Sequence, residues 1–423
     1  MDRLADSYLA EGSVEDPWVD GRLRFRAEPC LLSRDQAGLL AEAAAALALV
    51  LDEIAGIARE RPDEIADFLG LSPARRVLAR LDQGRWLGLA RADVFFCDDA
   101  RWPQVCEINS DTPTGLAETV AGSRIAAADH PSCLDPSAAL RSRWLDYARL
   151  SLPEAKQRKS RPLAGLIYPT EMPEDLLHLR LLASWLRDDG WDCVFGSPFN
   201  LDSGPDGEAR LFGQPLDLVI RHYKTDWWTE RDSLWRDEAP PADAAPLDAP
   251  ITVLCRAQLA GFCSVINPWG TVVTQNKRVL ALPFECPELF QPDTLKLARR
   301  HLPESRRLES LPLPQVLAER ESWVLKSDYG CEGEEVFLGR DCSDAEWAAA
   351  LSAAAPGRWL LQRAFRPTTN AEGQTANHGV FLIAGRPSGI FTRFSNGATD
   401  GSAVAAPTLI RNERVERLES PSP

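Results

Sequence analysis

Two short apolar runs carry polar residues at a spacing of two. Arg91 and Asp93 interrupt Gly88–Cys97, and Glu107 and Asn109 end the run that reaches Asp111-Thr112-Pro113-Thr114-Gly115. Side chains along a strand alternate between its two faces, so each pair projects from one face. If residues 85–109 form two paired strands, Asp93, Glu107 and Asn109 meet on that face with Arg91 beside them. A fold that builds such a face needs a sheet with a second layer behind it. Three hard oxygen donors next to a guanidinium suit Mg²⁺ carrying phosphates, since Mg²⁺ takes few protein ligands and fills its other positions with phosphate and water. The same residues also suit a solvated edge strand followed by an ordinary turn.

The rest of the chain alternates strand-like and helix-like stretches. Residues 37–58 are apolar but interrupted by Glu42, Asp52 and Glu53, which indicates a buried helix rather than a membrane span. Ser33-Arg34-Asp35-Gln36 opens it as a capping box. Leu163–Tyr168 reads as a buried strand. A helix over 173–189 follows, with Leu176, Leu177, Leu181, Leu182 and Trp185 on one side, and then a strand over Asp192–Phe195. This is a β-α-β unit without a Gly-x-Gly-x-x-Gly turn, which argues against a dinucleotide site. Residues 237–250, rich in Ala, Pro and Asp, read as a surface linker.

Beyond the linker, Asn276-Lys277 begins a helix and sets a cation beside free amides, an arrangement that favours phosphate. Trp323–Lys326 is a strand ending in Lys, followed by a loop with Gly330 and Gly333. Its amides could approach phosphate oxygens while Lys326 supplies a point charge. A β-hairpin with an acidic turn accounts for the same residues. Arg358–Phe365 reads as a core strand, and 377–383 with 387–394 as a hairpin about Gly385 that delivers Thr392-Arg393-Phe394.

These motifs, in this order, resemble the glutathionylspermidine synthase-like branch of the ATP-grasp ligases, over roughly residues 85–410. Arg-x-Asp, Glu-x-Asn, a substrate lobe with Tyr168-Pro169-Thr170-Glu171 and Gly213–Arg221, Asn-Lys, Lys with a Gly loop, a hinge strand and Thr-Arg-Phe match in sequence. The metal segment precedes the nucleotide lysines, as in a circularly permuted ATP-grasp. The resemblance implies an α/β (α+β) fold with a Rossmann-like pre-ATP-grasp lobe. Its divisions would be 1–160 (helical segment plus metal-binding segment), 161–245 (substrate lobe) and 250–423 (nucleotide-binding lobe), ending in a frayed tail.

The implied activity is ADP-forming ligation of a carboxylate to an amine through an acyl phosphate, with ATP and Mg²⁺ as cofactors. Asp93, Glu107 and Asn109 would hold the metal. Lys277, Lys326, Gly330, Gly333 and backbone groups around Gln362 and Ala364 would bind the nucleotide, while Arg91 and Arg393 stabilise transferring charge. Thr114 matches a hydroxyl near the acceptor. Two residues depart from the family's Lys-Pro-x-x-Gly-Arg-Glu-Gly loop: Ser327 replaces Pro and Cys331 replaces Arg. They leave open a nucleotide-binding protein with a regulatory or scaffold role, or a ligase acting on a peptide or protein terminus.

Composition narrows the partners. The net charge of -15 and the absence of a Lys/Arg block argue against nucleic acid and anionic membranes, leaving small-molecule or peptide acids and amines. Ten cysteines form no Cys-x-x-Cys pair, which fits scattered thiols in a reducing compartment. With no basic-then-apolar leader at the N-terminus, the expected location is cytoplasmic. Nothing in the pattern specifies an oligomeric state.

Overall fold

The computed structural model describes residues 18–19, 21–81, 86–169, 175–230, 247–330, 335–354, 356–397, 399 and 401–412. The Ser33 capping box forms as expected: Ser33 Oγ accepts from the Gln36 amide at 3.1 Å, and Gln36 Oε1 accepts from the Ser33 amide at 2.9 Å. It starts the 27-residue helix Arg34–Glu60. This helix buries Leu40, Leu47, Leu51 and Ile54 against one face of a five-stranded antiparallel sheet. Strand order across the sheet is Val404–Ala406, Arg386–Ser395, Thr375–Ile383, Leu89–Phe95 and Gln104–Asn109.

Alternation decides what each face carries. Ala90, Ala92, Val94, Val105 and Ile108 pack in the core beneath the helix, while Arg91, Asp93 and Glu107 point the other way. The hairpin between the two long strands turns through Ala384 and Gly385, both at positive φ (48° and 78°), the backbone that a two-residue turn needs.

A second sheet is parallel, in the order Ser264–Ile266, Leu218–Arg221, Leu163–Ile167 and Asp192–Gly196. The expected β-α-β unit is its core, with Leu176–Asp188 as the crossover helix. The buried stripe of that helix is His178, Leu179, Leu182, Ala183, Trp185 and Leu186. Leu176, Leu177 and Leu181 are only half-buried, because the face toward the sheet lies a few residues from the one the leucines alone indicate.

The expected lobe limits of 245 and 250 cut through this sheet, since Ser264–Ile266 pairs with Leu218–Ile220. The linker also ends sooner than expected: residues 237–246 lie outside the described set, and 248–250 already belong to the helix Asp248–Leu259. Nor is the first division self-contained, because Leu89–Phe95 pairs with Thr375–Ile383 at the far end of the chain.

A third sheet, antiparallel, runs Ser305–Arg307, Trp359–Arg363, Trp323–Ser327 and Val336–Leu338. The Lys326 strand therefore does enter a hairpin, with the glycine loop at its tip. The expected tail beyond 412 lies outside the described residues. None of the described cysteines is in a disulfide, and among the described residues no helix is long and apolar enough to cross a membrane.

Candidate functional site

A cavity of about 470 Å³ lies where the five-stranded and third sheets meet. Cross-strand register builds its charged wall. Arg91 lies opposite Asn109, Asp93 opposite Glu107 and Gly379, and Asn377 opposite Arg393. Residues directly opposite each other in an antiparallel pair share a face, so all of these side chains converge. Gly379 is needed there, because a Cβ would sit 2.7 Å from Arg91 Cδ.

Asp93 is the centre of this wall and is almost fully buried. Arg91 Nε donates to Oδ1 at 2.9 Å, while Arg393 Nη2 and Asn377 Nδ2 donate to Oδ2 at 2.8 and 3.3 Å. Burial by itself would raise the carboxyl pKa, but the two guanidinium charges outweigh it and hold the group at about 2. The same crowding pushes Arg393 below its ordinary range, through burial first and Arg91 second. Thr114, matched to an acceptor-side hydroxyl, orients Arg91: its carbonyl accepts from Nη1 at 2.8 Å and its hydroxyl at 3.5 Å.

Glu107 and Asn109 are more open than Asp93. Asn109 Nδ2 donates to Glu107 Oε1 at 3.4 Å, which leaves the Asn109 carbonyl oxygen as the end suited to a cation. Lys277 Nζ stands 3.9 Å from Glu107 Oε2 and donates to the carbonyl of Gly330. Instead of opening an α-helix, Lys277 begins a 3₁₀ turn, Lys277–Ala281, capped by the Asn276 side chain, which accepts from the Arg278 amide at 2.9 Å.

Lys326, from the third sheet, donates to Gln362 Oε1 at 2.9 Å and to the carbonyl of Cys106 at 3.2 Å, joining the two sheets at the cavity. The Cys106 thiol, half-buried on that wall, is pushed up to about 12 by loss of solvation. It is therefore no nucleophile at neutral pH.

The glycine loop is partly described. Gly330 donates its amide to Ser327 Oγ at 3.0 Å, so the serine that stands where proline is usual closes the turn itself. A Cβ on Gly330 would meet that oxygen at 2.4 Å. Gly333 lies outside the described residues, as does Cys331. Gln362 and Ala364 both line the cavity. The Ala364 amide is already donated to the Ser322 carbonyl at 2.9 Å, so a base edge would have to meet other backbone atoms of this segment.

Several residues with no distinctive sequence signal hold the site together. Asp111, which reads as a turn residue, is fully buried. Its carboxylate accepts from Arg221 Nη2 at 2.5 Å, Thr271 Oγ1 at 2.6 Å and the Thr225 amide at 2.6 Å. Gln275 Oε1 accepts from the Ser110 and Asp111 amides at 2.7 and 3.1 Å. Asn267 donates from Nδ2 to the carbonyls of Leu89 and Asp111. The turn after Asn109 is thus fastened to the parallel-sheet lobe by partners 110 to 165 residues away. Only the polarity of Asp111, two residues beyond Asn109, could have pointed to it. Among the aromatics of the second lobe, Trp227 lines the cavity, while Tyr223 and Trp228 are core.

Asp93, Glu107 and Asn109 fit Mg²⁺ unequally. Glu107 and Asn109 are hard oxygen donors open to the cavity, whereas both oxygens of Asp93 are taken by arginines. Among the described residues no cluster of three or more His, Cys, Asp or Glu side chains forms a metal centre. Bound phosphate would have to supply the remaining ligands.

Residues 82–411 match the glutathionylspermidine synthase preATP-grasp family, and the chain belongs to that family. No curated protein matches it. Among solved structures, a glutathione synthetase-like effector from Globodera pallida in apo form is similar over 96% of this chain and 94% of its own, at 14% identity and TM-score 0.57. At that identity the likeness is one of fold. A protein from Methylobacillus flagellatus KT provisionally named gamma-glutamylcysteine synthetase is 12% identical over 81% of this chain and 84% of its own, at TM-score 0.46. The fold is mixed α/β, and the family is one of synthetases.

Proposed function

We propose that the chain is an ATP-dependent ligase that joins a carboxylate to an amine through an acyl phosphate, releasing ADP and phosphate, on a circularly permuted ATP-grasp. The observation that carries this reading is the convergence of Glu107 and Asn109, the Arg91–Asp93–Arg393 wall and Lys277 with Lys326 on one cavity. Family membership supports the same chemistry.

In this reading Lys277 and Lys326 bind the polyphosphate. Arg91 and Arg393, already aimed by Asp93 and Thr114, stabilise charge on the phosphoryl group as it moves to the acid. Glu107 and Asn109 would hold Mg²⁺, and Asp93 could join them only by giving up an arginine. The metal, when bound, neutralises phosphate charge. Amide formation then needs water kept from the acyl phosphate. The test is amine-dependent ADP release across a panel of acids and amines. Glu107→Ala should abolish release in any pair that turns over, and unchanged turnover would refute the assignment.

A further inference from the structure

The cavity wall carries further charged residues besides Lys277 and Lys326, and one of them comes from a segment that the family match does not reach. Residues 24–26 run along the outer edge of the five-stranded sheet. The Ala405 amide donates to the Arg24 carbonyl at 2.7 Å, and the Arg26 amide donates to the Ala405 carbonyl at 2.9 Å. Phe25 bridges Ala405, which itself lies opposite Arg393. This places Arg24 and Phe25 on the cavity wall, although both precede the matched span 82–411.

Arg24 is exposed and, among the described residues, its guanidinium has no hydrogen-bond or ion-pair partner, its backbone carbonyl alone being held by Ala405. Facing the same space are two carboxylates. Glu118 sits in the first turn of the helix Leu116–Asp129, and Asp175 lies 3.5 Å from His222 Nε2. The charges of Arg24 and Asp175 both act on Glu118, so the three groups share one region. Burial raises the Glu118 carboxyl above its ordinary range and Asp175 adds to this, while its own backbone amide, Arg24 and Arg91 oppose it without cancelling the rise.

A single-sign ligand would satisfy one side of this region and leave the other unpaired in a half-buried place. A ligand with both charges on neighbouring atoms satisfies both. We infer that this end of the cavity binds an amino-acid head group, its carboxylate on Arg24 and its ammonium between Glu118 and Asp175. Arg24 is thereby a specificity residue contributed by this chain's own N-terminal segment. The inference rests on the ligase reading for what happens at the other end of the substrate, though not for the binding itself.

The test uses three probes of one carbon skeleton: L-norvaline, pentanoate (no ammonium) and n-butylamine (no carboxylate). Each is titrated into the full chain without nucleotide and followed by ligand-observed NMR. Norvaline should bind at least about tenfold more tightly than either single-charge probe, as one charge-assisted hydrogen bond provides. Arg24→Gln should bring norvaline down to the level of butylamine and leave butylamine unchanged, and Glu118→Gln should bring it down to pentanoate.

The proposal is overturned if norvaline shows no advantage, if none of the probes binds, or if Arg24→Gln weakens all three alike or none. Because no turnover is needed, that failure leaves the ligase reading intact. Absence of ADP release in the enzyme assay would leave the head-group site intact.

Discussion

The two sheets that meet at the cavity handle their charges in opposite ways. On the five-stranded sheet, Arg91 and Arg393 share the Asp93 carboxylate, so one of their two charges is balanced before any ligand arrives. On the other side, Lys326 leans on neutral acceptors, the Gln362 amide and the Cys106 carbonyl. Lys277 reaches a carbonyl and stands at 3.9 Å from Glu107. A buried lysine with neutral partners has its charge unspent. The lysine side therefore provides affinity for an anion, while the arginine side provides a rigid geometry that costs little to reorganise.

The largest effect that could break this contrast is in stability. Asp93→Asn leaves two buried guanidinium groups facing each other with only the more open Glu107 as a further counter-charge, and chemical denaturation should show a loss of about 3–5 kcal/mol. Adding Arg393→Met should recover part of it, giving a non-additive double-mutant cycle. Additivity would mean that the clamp is not a unit.

Smaller effects should appear in pH dependence, again with opposite sign on the two sides. His378, on the five-stranded sheet, is held by burial at about 4, below its ordinary value. Its contribution is present above about 6.5 and lost as pH falls toward 4. Asp328, following the Lys326 strand, is raised by burial to about 6, with Arg358 opposing. Its contribution is present below about 4 and lost as pH rises through 6. His378→Gln should flatten the acid limb of the stability profile, and Asp328→Asn the rise in destabilisation from pH 4 to 6, each by about 1–3 kcal/mol. Unchanged profiles would show that neither group is buried as described.

The smallest effect should come from Lys326→Met. Its partners are neutral, so folding stability should change by no more than about 1.5 kcal/mol. A loss as large as that of Asp93→Asn would erase the distinction between the two sides.

Local pattern made part of this legible. Arg-x-Asp and Glu-x-Asn announce their faces because strand alternation is a property of two adjacent segments, and the capping box at Ser33 is settled within four residues. The Ala384-Gly385 hairpin is equally local. What could not be read depends on pairing across the chain. Ser264–Ile266 joins a sheet begun at Leu163, Asp111 meets Arg221, and Arg24 meets the cavity through Ala405. None of these contacts has a sequence spacing to betray it. Asp93 reads as a metal ligand because the Arg-x-Asp spacing says nothing of a second arginine, Arg393, that arrives from 300 residues away.

The most direct test is calorimetric titration of ATP, with and without Mg²⁺, into the wild-type chain, Lys326→Met and Glu107→Ala. One site per chain is expected in the wild type, weakened at least about tenfold by Lys326→Met, with the Mg²⁺ dependence lost in Glu107→Ala. Equal binding in all three proteins, or none in the wild type, would contradict the assignment of this cavity to a magnesium nucleotide.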